Sequence, residues 1–244
     1  MTAAVQIPSA YETFPAHELV AEIFREAQDA SVCITSSFQS EDMVVLHLLL
    51  QHAPQTPVIF LETGYHFAEV YAYRDRMAAA WHLNLVNALP KTTVQEHESQ
   101  LGKLYFVDPT QCCQIRKVEP LMRSLEPYDY WFTGLRREQS PTRRNLQKVE
   151  DHRLPTGKTM KKISPLADWT WAQVENYMTE HNIEPLPLYA QGYRSIGCEP
   201  CTSLPDDPNN PRAGRWGGKK LECGIHTFST KEDGLKIQDV PPNS

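Results

Sequence analysis

Short apolar, β-branched runs alternate with helical segments from residue 32 to residue 88, and that alternation restricts the fold more than any other feature of the sequence. Val32–Thr35, Pro57–Leu61 and Leu83–Ala88 read as strands, and Met43–His52 and Phe67–His82 between them as helices. A connection containing a helix carries the chain back to the same end of a sheet, so successive strands run parallel through right-handed crossovers. The sequence therefore predicts an α/β fold, a mostly parallel sheet flanked by helices. Ala16–Ala30 adds an amphipathic helix with Leu19, Val20, Ile23, Phe24 and Ala27 on one face. Further on, a helix from near Cys113 to about Leu125 leads into a β-type run, Tyr128–Leu135. The polar stretch Gln147–Ile163 turns at Pro-Thr-Gly and reads as irregular or as a hairpin. Thr170 and Gln173 form a capping box that starts a helix to about His181. Beyond Cys201, Pro, Gly, Asp and Asn dominate, and residues 204–220 are expected to be exposed and mobile.

The 244 residues carry 24 Lys plus Arg against 30 Asp plus Glu, a net charge of −6. That balance argues against a broad grip on long nucleic acid but leaves room for local basic loops around one small anion. The longest apolar run, Met43–Leu50, is interrupted by His47 and falls well short of the ~20 residues that span a bilayer. The N-terminal MTAAVQIPSAYETF has neither the basic flank nor the apolar stretch of a secretory signal. A cytoplasmic location with reduced thiols is expected.

Three groups of residues can carry chemistry. The loop Ser36-Ser37-Phe38-Gln39-Ser40-Glu41-Asp42 follows a strand and opens a helix, where free backbone N–H groups and the helix dipole suit a phosphate or sulfate. It is neither a Walker A nor a GxGxxG loop, and on these residues alone a plain βα turn with Ser and Asp caps is the simpler reading. Of the six cysteines, Cys112 and Cys113 are adjacent and Cys198 and Cys201 form CxxC. Four thiolates suit a tetrahedral zinc or an iron–sulfur cluster; neighbouring cysteines reach one small ion only with strain, so the spacing favours the cluster. Cys33 sits in the β-run VCIT and reads as a core thiol, whereas Cys223 lies among Lys219, Lys220 and His226, which favour a thiolate, and reads as a nucleophile or as an incidental exposed thiol. Finally, four arginines occur within the nine residues Arg136–Arg144, with Arg212, Arg215, Arg116 and Lys117 elsewhere. A loop with Arg136, Arg137, Arg143 and Arg144 cannot be core, and guanidinium forks match phosphate and sulfate oxygens.

In order along the chain, SSFQSED, LETG, CCQIRKVEPL, TGLRREQSPTRR, GCEPC and ECGIH resemble the adenylyl-sulfate (APS) and phosphoadenylyl-sulfate (PAPS) reductase family of assimilatory sulfate reduction. The resemblance runs from about residue 30 to 228, and the CC and CxxC pairs are those of its APS-preferring branch. It implies an adenine-nucleotide α-hydrolase-like fold related to the PP-loop ATP pyrophosphatases. It further implies residues 1–203 as a nucleotide- and cluster-binding domain and 204–244 as a tail carrying the nucleophile. By position, Cys223 is that nucleophile, and Cys112, Cys113, Cys198 and Cys201 hold a 4Fe-4S cluster. Ser36, Ser37 and Phe38 belong to the nucleotide loop, with Leu61, Glu62, Thr63 and Gly64 near the adenosine. Lys117, Arg136, Arg137, Arg212 and Arg215 hold the phosphosulfate. The implied partners are adenosine 5′-phosphosulfate and thioredoxin or glutaredoxin as reductant; homo-oligomerisation is left open.

The chain departs from the family pattern at Gln39, where many relatives have Gly, in LETG for the commoner LDTG, and in a shorter segment between Arg215 and Cys223. The competing readings are a PAPS reductase with a cluster, a PP-loop ATP pyrophosphatase or sulfur-inserting RNA-modifying enzyme, and a non-enzymatic zinc or redox-sensing module. The SGGxDS loop expected of the PP-loop enzymes is missing.

Overall fold

The computed structural model describes residues 10–207, 210, 212–218, 220 and 222–226, and the strand backbone of 228–231 and 234–237. The alternation read from the sequence builds one six-stranded sheet from β1 (Val32–Thr35), β2 (Pro57–Leu61), β3 (Asn84–Ala88), β4 (Tyr130–Phe132), β5 (Val149–Arg153) and β6 (Thr159–Ile163). Their order is β3-β2-β1-β4-β6-β5, and every neighbouring pair is parallel except β5 with β6. Residues 147–163 thus take the hairpin alternative. Gly157 supplies the positive φ of 92° at its turn, and β6 pairs with β4 from Tyr130↔Lys161 to Phe132↔Ile163. The chain leaves β1 toward β2 on one side while β4 lies on the other. The carboxyl ends of β1 and β4 therefore flank the switch point at which open α/β sheets bind ligands.

Helices α1 (Ala16–Ala27), α2 (Ser40–Leu50) and α3 (Ala68–Ala80) connect or cover the first strands. On α1, Leu19, Val20 and Ile23 are buried, as their spacing requires. Helix α2 starts three residues before the expected Met43 (43 − 40), because its first turn is the polar Ser40-Glu41-Asp42. Acidic residues suit that end of the dipole but do not show as apolar periodicity. Helix α4 (Val94–Leu101) was not anticipated. Thr93 Oγ1 accepts from the Glu96 N–H at 3.2 Å and the Glu96 carboxylate accepts from the Thr93 N–H at 2.8 Å, a capping box visible as T-x-x-E. Then come α5 (Leu104–Val107), α6 (Pro109–Cys113), a wide π-type turn over Gln114–Val118 and α7 (Glu119–Leu125). Helix α8 (Trp171–Glu180) opens on the Thr170–Gln173 box. A hairpin of β7 (Phe228–Lys231) and β8 (Gly234–Ile237) follows.

Two expectations need correction. Residues 204–220 are not uniformly exposed: Arg215 and Trp216 are buried, because the guanidinium lies 4.3 Å over the indole and the indole packs on Cys113, Cys198 and Cys201. Pro208, Asn209, Pro211 and Lys219 of that stretch lie outside the described residues. The arginine loop is not wholly excluded from the interior either, since Arg136 is buried by pairing with Glu41. Cys33 is a core thiol, fully buried beside Trp131 and Leu121, and burial pushes its pKa up. Among the described residues, no helix is long and apolar enough to cross a membrane.

Trp131 carries His226 stacked on it at 5.5 Å and His152 edge-on at 5.2 Å. Burial, reinforced by Lys162, lowers the His152 pKa to about 4. Its folded pKa therefore lies below the unfolded one, so the unfolded chain binds the proton first and stability falls as pH drops from about 6.5 toward 4. His152→Gln is expected to flatten that part of a pH–stability curve by up to ~3 kcal/mol at pH 4 in denaturant melts.

Candidate active site

A cavity of about 540 Å³ opens at the switch point, within the usual size of small-ligand sites. Ser36 and Ser37 line it from the β1–α2 loop, Leu61 from β2, and Thr133 to Arg136 from the segment after β4. The loop is held by its own polar groups. The Ser37 N–H and hydroxyl both donate to Asp42 Oδ2, at 2.6 and 2.7 Å, and the Phe38 N–H donates to Ser36 Oγ at 3.0 Å. Burial raises the Asp42 pKa to about 6, against the hydrogen bonds from Ser37. Phe38 adopts φ 59° and its fully buried ring meets Phe60 edge-on, so it anchors the loop from beneath. Gln39 donates to Ser37 Oγ at 2.8 Å and accepts from the Ile196 N–H at 2.9 Å. This ties the nucleotide-type loop to the segment that leads into Cys198. Gly134 permits the close fit of β4 against α2, since a Cβ there would lie 2.8 Å from the Asp42 backbone nitrogen.

Of Leu61-Glu62-Thr63-Gly64, only Leu61 faces the cavity. Glu62 accepts from the Gly64 N–H, the Tyr71 hydroxyl and Arg74, which shapes the turn. Thr63 is fully buried and its Oγ1 lies 3.3 Å from Cys198 Sγ. Glu62 thus braces the turn and Thr63 packs against Cys198, and neither forms the cavity wall.

The cations fall into two groups. Arg136 lines the cavity, but its guanidinium donates to Glu41 at 3.1 and 2.9 Å and to Glu138 at 2.7 Å. Arg137 lies outside the lining, bound to Glu12 at 2.6 Å and to the Leu146 carbonyl at 2.8 Å. Arg143, which the sequence reading noted only as part of the basic run, lines the cavity and is paired with Glu222. Lys117 and Arg215 also line it, and among the described residues neither makes an ion pair with a carboxylate. Arg215 donates to Ser195 Oγ at 3.3 Å and to the Cys201 carbonyl at 3.4 Å, and fits because Gly197 has no side chain to meet it. Arg212 lines the cavity half-buried, 3.5 Å from Glu222, and burial lowers its pKa to about 10 against the pull of that carboxylate. Arg194, Trp171 and His226 also line the wall, as do the acidic residues Glu41, Asp42 and Glu138. Burial keeps His226 neutral, its pKa well below the usual value.

Cys112, Cys113, Cys198 and Cys201 are buried free thiols around a second, much smaller gap, which also meets Tyr65 and Tyr105. Burial and then the neighbouring thiols push Cys112 up to about 12 and Cys201 up to about 11. Lys117 and Trp216 belong to the walls of both spaces. Lys117 is thrown inward by the π-type turn, a distortion that recurs at functional sites. Burial works against its charge, but the sulfurs of Cys198, Cys113 and Cys223 outweigh that and hold its pKa above the ordinary lysine value. Cys223 is buried in the wall of the larger cavity, packed with Cys113, Cys198 and Trp216. Cys223 and the four paired cysteines thus converge on one region, with Lys117 between the two spaces. The donor set is soft and lacks carboxylates, which suits zinc or iron–sulfur chemistry over a hard cation.

The phosphoadenosine phosphosulfate reductase domain matches residues 31–204, and the chain belongs to that family. Among its relatives, the adenosine 5'-phosphosulfate reductase of Streptomyces coelicolor is 44% identical over 198 residues, 80% of this chain and 81% of the relative. The protein of the same name from Geobacillus thermodenitrificans is 40% identical over 223 residues, 90% of this chain and 93% of that one. The crystal structure of phosphoadenylyl-sulfate reductase from Candida auris, a phosphate complex, superposes with a TM-score of 0.66 at 26% identity, covering 77% of this chain and 89% of that one. Candida glabrata FMN adenylyltransferase shares the fold at a TM-score of 0.57 and 13% identity, covering 90% of this chain and 68% of that one. The expected α/β nucleotide-binding fold is therefore the observed one.

Proposed function

We propose that this chain reduces adenosine 5′-phosphosulfate to sulfite and AMP, with Cys223 as the nucleophile. The observation that carries the reading is a buried cysteine in the wall of a switch-point cavity that also presents Lys117 and Arg215, which among the described residues pair with no carboxylate. The name shared by its relatives supports the substrate. In this reading the Ser36–Ser37 loop and the start of α2 receive the nucleotide, while Lys117, Arg212 and Arg215 neutralise the phosphosulfate, whose charge otherwise repels a thiolate.

The Cys223 thiolate attacks the sulfonyl sulfur. A sulfur–sulfur bond forms, the bond from sulfur to the bridging phosphate oxygen breaks, and AMP leaves with that electron pair. A dithiol reductant of the thioredoxin or glutaredoxin type then attacks Cys223 Sγ and expels sulfite. Its second thiol resolves the mixed disulfide and frees Cys223. The dithiol becomes a disulfide and supplies both electrons that take sulfate sulfur to sulfite. Thiols that must return to the reduced state suit the cytoplasm.

Cys112, Cys113, Cys198 and Cys201 would hold a 4Fe-4S cluster. Four sulfurs spread around a gap fit a cluster in which each thiolate takes a different iron. Bound there, it would supply a fixed, charged anchor joining α6 to the CxxC segment.

Intact mass spectrometry after addition of adenosine 5′-phosphosulfate without reductant is expected to show a sulfonate-sized adduct on the native protein and none on Cys223→Ser. An adduct that survives the substitution rejects the nucleophile. Anaerobically purified protein is expected to contain iron and acid-labile sulfide that Cys201→Ser loses; zinc without labile sulfide would reject the cluster.

A further inference from the structure

Glu222 does not line the cavity, yet it holds residues that do. Its side chain is 3% exposed, and it takes Arg143 in a bidentate grip, Nε donating to Oε1 at 3.0 Å and Nη2 to Oε2 at 2.8 Å. The Thr142 hydroxyl donates to Oε1 at 3.0 Å, and Arg212 Nη2 stands 3.5 Å from Oε2. Arg143 and Thr142 belong to the loop after β4, which is fixed by Ser140 and Gln139 and, through Arg136, by α2. Arg212 and Glu222 belong to the C-terminal segment. One carboxylate therefore fastens that segment to Arg143 of the loop after β4 and, through Arg212, joins the two stretches of the segment on either side of Trp216. Two-point hydrogen bonding of this kind fixes direction as well as distance. The next Cα along the chain, about 3.8 Å away, is that of Cys223.

We infer that Glu222 is a positioning residue whose clasp on Arg143 holds the Cys223 thiol inside the cavity. The inference rests on Cys223 as nucleophile only for its kinetic consequence. The clasp itself is a statement about where the thiol sits. It accounts for an acid placed beside a site for an anion, because the carboxylate is turned away from the cavity and engaged by both arginines. It also divides the arginines by task. Arg143 serves the tail, and Lys117 and Arg215 are left to face the ligand.

The test is the rate at which iodoacetamide labels Cys223 in the full-length, cluster-loaded protein without nucleotide, followed by peptide mass spectrometry with core Cys33 as the folding control. Breaking a buried pair is strongly unfavourable, so Glu222→Gln and Arg143→Gln are each expected to raise the Cys223 rate at least about tenfold while Cys33 stays unreactive. The double variant should label no faster than either single one, because both remove one shared contact. Labelling of Glu222→Gln at the native rate, or single effects that multiply in the double variant, would overturn the clasp. In a second arm, Glu222→Gln is expected to bind AMP within about threefold of native while forming the sulfonate adduct at least about tenfold more slowly, with partial recovery in Glu222→Asp. Faster labelling with an unchanged adduct rate would overturn the positioning role. Failure of the native protein to form any adduct would instead reject the proposed reaction, and the labelling result would still decide the clasp.

Discussion

A single buried ammonium group links the two halves of this site. Lys117 stands between the gap ringed by four cysteines and the larger cavity, within the field of Cys198, Cys113 and Cys223. An isolated charge at that depth is costly; sulfur on both sides makes it favourable. The requirement propagates outward. The π-type turn delivers Lys117, the neighbouring Arg116 donates to the Thr63 carbonyl at 2.6 Å, and Thr63 in turn lies against Cys198. The thiol-bearing segments and the strand β2 turn are thereby built around one cation.

The remaining basic residues illustrate why counting arginines overstates the potential at a site. Arg136, Arg137 and Arg143 are each matched by a carboxylate, from Glu41, Glu12 and Glu222. Those pairs fasten the arginine loop to α2, to the N-terminal segment and to the tail. Among the described residues, the cavity-lining cations outside any carboxylate pair include Lys117 and Arg215, and their charge is the most available to a ligand. A chain with a net charge of −6 can thus hold a small dianion without becoming a general polyanion binder.

Much of this was legible in the sequence, for identifiable reasons. Strands buried on both faces must be apolar throughout, so β2 was read to the residue. The start of α2 and all of α4 were missed because their residues are polar, although Thr93 and Glu96 did announce α4. The two cysteine pairs were expected together because thiols in pairs have few alternative uses, and they meet around one gap. The pairing of the arginines could not be read, since Glu41 lies 95 residues from Arg136 and Glu12 lies 125 from Arg137. Nor could the sequence tell that, of Leu61, Glu62, Thr63 and Gly64, Leu61 alone reaches the cavity while Glu62 braces the turn and Thr63 lies against Cys198.

The central claim is that Lys117 acts on the reacting sulfonyl group as well as on the cysteine site. The most direct measurement is the single-turnover rate of sulfonate transfer to Cys223 in Lys117→Met, with iron and acid-labile sulfide quantified in the same preparation. Loss of one well-placed cation is expected to slow transfer, counted per cluster-containing protein, by about two orders of magnitude. A native transfer rate in Lys117→Met protein with full cluster content would contradict the account.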